Sequence, residues 1–137
     1  MGLTHLDAGV VIGFLDSSDV HHVNAKASLA EALDNGDHLA MAASAFAECL
    51  VGPARRSDSA IQVVRDTFDR LPIEIVDLSP LIAIEAARLR SRHRSLRLPD
   101  ALVIATSVIV GADKLVTTDG RWPATKKLRV EFEIVRI

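Results

Sequence analysis

PDALVIATSVIVGADKLVTTD, running from Pro99 to Asp119, is the stretch that decides the fold. Pro99 can open a helix, because its ring presets the backbone and its missing N–H would go unpaired in a first turn anyway. The chain is then apolar nearly throughout to Val110, and Gly111 offers the left-handed stop that ends many helices. Lys114–Thr117 follows closely, short, apolar and β-branched, as a strand should be. A helix feeding a strand that ends at an acid is one unit of an α/β chain.

The same alternation extends outward in both directions. Ser79-Pro80 starts a helix predicted to reach about His93, with Ser at the cap and Pro in the first turn. Before it, Ile73–Asp77 (IEIVD) alternates like a strand, and Pro72 breaks a helix that Ser57 or Asp58 can cap and that runs through Leu71. Ala45–Val51 reads as a helix stopped by Gly52-Pro53, and His38–Ala42 as a strand. Ser17-Ser18-Asp19 offers N-cap chemistry for a helix from about His21 to Asp34, ended by Asn35-Gly36. Its Ala25, Leu29, Ala32 and Leu33 recur at helical spacing. Leu3–Asp7 reads as the first strand, and Gly9–Asp16 fits either a buried helix or a continuation of that strand. Val130–Val135 is the last strand. Strands alternating with helices call for a mostly parallel sheet covered on both faces, a single α/β domain over residues 1–137. Ligands in such sheets bind beyond the carboxyl ends of the strands, where the strand order reverses.

Composition narrows the function classes. With 137 residues and 49% hydrophobic residues, the chain is long enough to bury a core and too apolar to be disordered. Eighteen acids against sixteen bases leave a net charge of −2, so bulk charge does not advertise nucleic-acid binding. The lone Cys49 excludes an internal disulfide and fits a reducing cytoplasm. No basic segment followed by an unbroken apolar run opens the chain, and Leu6 stands where N-myristoylation wants Ser or Thr. The longest apolar run, Ala101 to Ala112, is too short to span a bilayer. A cytoplasmic protein without a membrane segment is expected.

Most of the acids lie in polar or capping contexts, where solvent explains them. Asp7, Glu48, Asp100 and Asp119 do not. Asp7 sits between Leu6 and an apolar run; Glu48 is the only charge between His38 and Arg55; Asp100 precedes Ala101-Leu102-Val103; Asp119 follows Leu115-Val116-Thr117-Thr118. Each has an ordinary alternative. Asp7 and Asp119 can be turn acids, Glu48 a buried hydrogen-bonded side chain, and Asp100 an acid that favours a helix N-terminus. Glu48 misses the capping-box position from Ser44 by one residue. If the strands before Asp7 and Asp119 are neighbours, all four can face one crevice. Two carboxylates about 4 Å apart repel by roughly 4 kcal/mol at an intermediate dielectric, so such a cluster needs raised pKa values or a cation. Oxygen ligands without His or Cys suit Mg²⁺ or Mn²⁺ rather than zinc.

LDAGVVIGFLD with Asp7, SAFAECL with Glu48, RLPDALVIATS with Asp100 and LVTTD with Asp119 together resemble the PIN-domain ribonucleases. In length the chain is similar to the VapC-type toxins of toxin–antitoxin pairs. The resemblance covers essentially the whole chain and implies a five-stranded parallel sheet in a three-layer α/β/α sandwich. It implies that the four acids form a Mg²⁺ or Mn²⁺ site for RNA hydrolysis, and that Thr117 orients ligands or metal-bound water. It also implies a homodimer and a small antitoxin whose C-terminal part occupies the active groove. Two positions depart from the family pattern. Gly9 stands where the family usually has Ser, Thr or Asn, and Arg121 where it often has a further acid, which puts a second tightly held metal in doubt.

Around such a site, Arg88, Arg90, Arg92, Arg94 and Arg97, with His93, form an acid-free stretch that is either an RNA contact or a solvated helix face. Arg55-Arg56 and Lys126-Lys127-Arg129 read as surface charge. His21-His22 lacks a third ligand and reads as structural. Trp122 reads as a lid or core residue, and Cys49 as a small core residue. Two rival readings stand beside the nuclease. An aspartate-phosphorylating domain would also gather acids at strand ends, but the phosphatase type wants a second Asp where Gly9 sits, and the receiver type wants paired acids near the first strand. The other rival is a PIN-like binding module with weakened catalysis; a general RNA-processing nuclease is a variant of the main reading.

Overall fold

The computed structural model describes residues 2–137. Five strands form one parallel sheet: β1 (Leu3–Leu6), β2 (His38–Ala42), β3 (Ile73–Val76), β4 (Lys114–Thr117) and β5 (Glu133–Arg136), in the order β3-β2-β1-β4-β5. The helices are α1 (Ala8–Leu15), α2 (His22–Asp34), α3 (Ala43–Arg56), α4 (Asp58–Arg70), α5 (Pro80–Arg92), α6 (Leu98–Val110) and the single turn α7 (Thr125–Leu128). This is the three-layer α/β/α arrangement expected from the sequence.

Burial along the strands explains the layering. Thr4 to Leu6 of β1, Leu39 to Ala42 of β2 and Leu115 to Thr117 of β4 are buried without alternation, so both faces of the central strands are covered. The edge strands do alternate, with Ile73 buried and Glu74 exposed in β3, and Ile134 buried between exposed Glu133 and the outer strand end in β5. An edge strand that carries charge on its open side resists pairing with another chain. No helix among the described residues is long and apolar enough to cross a membrane.

Local signals account for most boundaries. Asp7 caps α1 with its own side chain, which resolves Gly9–Asp16 as helix rather than strand. Ser57 and Ser79 cap α4 and α5, accepting from Ala60 N at 3.0 Å and Ile82 N at 3.2 Å. Gly111 ends α6 in the left-handed region at φ 69°, a backbone that costs glycine nothing.

Three expectations are corrected. α3 does not stop at Gly52-Pro53 but runs through to Arg56. Proline removes one intrahelical bond, and here packing of α3 on α4, with Phe46 and Phe68 rings 5.0 Å apart, holds the helix together past it. Ser17-Ser18-Asp19 does not cap α2. Asp16 instead accepts from the backbone and hydroxyl of Ser18, and Asp19 accepts from His21 N, so these residues close turns, and α2 starts from His21 without a side-chain cap. β5 starts at Glu133, not Val130, because Arg129 at φ 55° and the short α7 use the preceding residues to turn the chain. α7 itself has no signature in the sequence pattern.

Candidate active site

The strand order reverses between β1 and β4. The chain leaves β1 to build β2 and β3 on one side, then returns to place β4 on the other. Leu6 pairs with Val116, and Asp7 N donates to Val116 O at 3.0 Å, so the ends of β1 and β4 are side by side. Asp7 follows one strand and Asp119 closely follows the other.

Asp7 is held from two sides. Its Oδ1 accepts from Ala8 N at 2.8 Å, and its Oδ2 accepts from the Thr117 hydroxyl at 2.7 Å. The same hydroxyl accepts from Asp119 N at 3.1 Å, so one buried threonine braces both strand-end acids. Asp119 is gripped by Arg121: Oδ1 accepts from its backbone N at 2.8 Å and from Nε at 3.3 Å, and Oδ2 from Nη2 at 3.3 Å. Asp100 lies in the first turn of α6, with Arg97 Nε 3.8 Å from its Oδ2. Glu48 sits on α3, solvent-exposed rather than buried, which removes the reading of it as a buried hydrogen-bonded side chain.

The electrostatics tie the four together. Burial raises the pKa of Asp7, against the opposing hydrogen bonds from Thr117 and Ala8, and the charges of Asp100 and Asp119 push it the same way. Partial burial also raises Glu48, helped by Asp7 and Asp100, while Arg97 opposes. For Asp100 burial again leads, with Asp119 adding to it and Arg97, Trp122 and Arg121 opposing. Asp119 alone ends below the ordinary carboxylate range. Burial is its largest single influence and raises it, but the hydrogen bonds and charge of Arg121 together outweigh that. Three of the four acids therefore sit in a field that disfavours their charge, and a cation would relieve it.

The acids are coupled without being drawn to one point. Among the described residues, no three His, Cys, Asp or Glu side chains stand at metal-ligand spacing. Asp100 and Asp119 line an open cavity of about 270 Å³ with Arg97, Arg121 and Trp122, whereas Asp7 and Glu48 lie outside it.

Other singled-out residues divide clearly. Of the arginine stretch only Arg97 meets the acids; Arg88 and Arg92 pair with Glu85 at 3.6 and 3.8 Å, and Arg90 donates to Arg94 O. Lys126 and Lys127 are exposed on α7, and Arg55 and Arg56 at the end of α3. His22 Nδ1 is 2.9 Å from Gly13 O, a structural contact. Cys49 is buried, and desolvation with the charges of Glu48 and Asp7 pushes its thiol up to about 12, so it is no nucleophile. Trp122 is a core residue whose Nε1 has no hydrogen-bond partner among the described residues, yet lies near enough to favour the Asp100 carboxylate. Sequence reasoning did not connect it to Asp100, and three residues' separation from Asp119 was the only available hint. It also passed over His5, whose Nδ1 is 2.7 Å from the Ser107 hydroxyl within the core.

Comparison with known proteins agrees with this architecture. The chain superposes on VapBC2 from Rickettsia felis bound to a promoter DNA fragment with a TM-score of 0.71, at 18% identity, covering 98% of each chain. VapBC-1 from nontypeable Haemophilus influenzae gives 0.72 at 12% identity, covering 98% of this chain and 97% of that one. VapC20 from Mycobacterium tuberculosis, a toxin that cleaves the sarcin-ricin loop, gives 0.66 at 15% identity, covering 86% and 91%. At these identities the likeness is one of fold. No curated protein matches the sequence. Residues 5–128 match the family described as the PIN domain, and with that match spanning most of its length the chain belongs to the PIN-domain family.

Proposed function

We propose that this chain is a Mg²⁺- or Mn²⁺-dependent endoribonuclease, the toxin of a toxin–antitoxin pair, active as a homodimer and silenced by a small antitoxin. The observation that carries the reading is the meeting of Asp7 and Asp119 at the adjacent ends of β1 and β4, bridged by the Thr117 hydroxyl, at the switch point of the sheet. The family match and the toxin–antitoxin complexes that share the fold support it. The donor set fits a hard cation in kind, being all oxygen. Mg²⁺ keeps several waters and takes only one or two carboxylates directly, so it does not require all four acids at ligand distance.

Asp7, Glu48, Asp100 and Asp119 would hold the ion, one or two of them directly and the rest through its waters. When bound, the ion lowers the pKa of a water and polarises the phosphoryl oxygen. Thr117 keeps Asp7 and the Asp119 backbone in register at the two strand ends, so that Asp7 stays oriented as the ion enters. Arg97 and Arg121, exposed beside the acids, would meet substrate phosphates, which gives affinity without sequence choice. Choice among RNAs would come from shape and unstacked bases.

Purified protein, free of antitoxin, is incubated with a mixed RNA pool in Mg²⁺, Mn²⁺ or chelator, beside Asp7→Asn and Asp100→Asn. Metal-dependent cleavage lost in both variants, leaving 5′-phosphate and 3′-hydroxyl ends, supports the proposal. A 2′,3′-cyclic phosphate end, or cleavage that persists in both variants, overturns it.

A second reading, a PIN module with weakened catalysis, is favoured by one contact: Arg121 occupies both oxygens of Asp119. Under that reading the same assay yields no metal-dependent product, while a separate binding measurement shows that the antitoxin still binds.

A further inference from the structure

Charge is divided unequally between the two edges of the sheet. From Leu71 to Ala87, which holds edge strand β3 and the first part of α5, the chain carries Glu74, Asp77 and Glu85 and no Lys or Arg. From Gly120 to Val130, which joins β4 to the other edge strand β5, it carries Arg121, Lys126, Lys127 and Arg129 and no acid. In the order β3-β2-β1-β4-β5, the acids that follow β1 and β4 therefore lie between an acidic edge and a basic one.

The basic side is continuous with the cavity at the acids. Arg97 and Arg121 line it with Asp100 and Asp119, and Pro123 belongs to the same wall. Arg136, the last residue of β5, is level with Thr117 in the sheet register and donates from Nη2 to Pro123 O at 3.3 Å. α7 starts from Ala124, so Lys126 and Lys127 come within one turn of that wall. Lys126, Lys127 and Arg136 are exposed and form none of the salt bridges among the described residues. On the β2 side, α3 leaves the sheet at Ala43 and carries Arg55 and Arg56 only in its last turn, about 20 Å along its axis.

Carboxylates repel a polyanion, so a phosphodiester chain needs cations beside the acids in order to approach them. Cations on one side only give that approach a direction. We propose that an RNA chain reaches the acids from the β5 edge of the sheet, with Arg97 and Arg121 beside the acids and Lys126, Lys127 and Arg136 holding the flanking phosphates. The inference rests on the ribonuclease reading above. Such contacts meet phosphate rather than bases, so they bind all sequences alike and make affinity fall with salt.

The test is RNA binding in chelator, where the proposed nuclease leaves the chain intact. Fluorescein-labelled oligouridylate and oligoadenylate are titrated by anisotropy over a series of salt concentrations, with thermal melting of each variant in parallel. Lys126→Ala, Lys127→Ala and Arg136→Ala together are expected to weaken both RNAs on the order of tenfold and to flatten the log–log salt slope by about 2, the loss of three phosphate contacts. The two lysine changes alone should give about two thirds of that flattening. Lys126→Arg with Lys127→Arg should keep the affinity, and Arg55→Ala with Arg56→Ala should leave it unchanged. Wild-type affinity and slope in the triple variant, or an equal loss in the α3 pair, overturns the inference. So does a triple variant that binds RNA normally but has lost binding to polyglutamate, which would make the strip a docking face for an acidic protein. RNA bound as expected but left uncut in Mg²⁺ or Mn²⁺ is a failure of the ribonuclease reading alone.

Discussion

Thr117 and Asp7, 110 residues apart in the chain, are joined by a 2.7 Å hydrogen bond in which the threonine hydroxyl donates to Oδ2. That bond links the end of β4 to the cap of α1 and, through Asp119 N, to the second strand-end acid. Thr117→Val removes the donor and orphans a backbone N–H, at a cost of about 1–3 kcal/mol in stability. Metal-dependent cleavage is expected to fall by about 10–100-fold. Thermal melting and initial rates measured on one preparation check both; wild-type rates would refute the bracing role.

Asp7→Asn keeps a competent helix cap and removes a charge from the crowded field. A carboxylate whose pKa is raised in the folded state stabilises it only while protonated. As pH rises through its ordinary unfolded value toward the raised folded one, that contribution turns into a penalty. The metal-free variant is therefore expected to melt a few degrees above wild type at pH 7, roughly what 1 kcal/mol produces in a chain of this size. The gain should vanish near pH 3, and the variant should show no stabilisation by Mn²⁺. A lower melting temperature at pH 7 would show that the carboxylates do not strain the fold.

Arg121→Ala frees Oδ2 of Asp119, leaves only the backbone N–H of residue 121 on Oδ1, and removes a cation that competes for both oxygens. Its Mn²⁺ affinity is expected to rise several-fold, and the pH dependence of binding to move upward, since Arg121 is what holds Asp119 below the ordinary carboxylate range. Calorimetry at pH 5 and 7 reads both, and an unchanged affinity would place Asp119 outside the ion's reach.

His5 is fully buried, and desolvation lowers its pKa to about 4. Its neutral form is the one the fold accepts. Below pH 6.5 the unfolded chain takes up a proton that the folded chain refuses until about pH 4, so stability is present above that window and lost through it. The loss is on the order of 3 kcal/mol. Urea unfolding from pH 7.5 to 4 should show this acid limb in wild type and a flatter one in His5→Gln.

Cys49, with its thiol pushed up to about 12 and buried under α1, is expected to resist alkylation at pH 8 until the protein is unfolded. Cys49→Ala should retain RNA cleavage. Loss of cleavage with an intact melting temperature would restore a chemical role for the thiol.

The alternation of strand and helix, the caps at Ser57 and Ser79, the stop at Gly111 and the position of Asp7 and Asp119 just past two strands were all readable along the chain. They depend on neighbours within a few residues, where periodicity, φ preference and side-chain capping act. The turn chemistry of Asp16 and Asp19, the continuation of α3 past Pro53 and the exposure of Glu48 were not, because each is set by what a segment packs against. Only the three-dimensional arrangement put β1 beside β4 and spent the Thr117 proton on Asp7 and Asp119's oxygens on Arg121. Hydrogen bonds and Coulomb forces act over a few ångströms of space, and no rule of spacing along the chain says which of two adjacent threonines will be the one already committed.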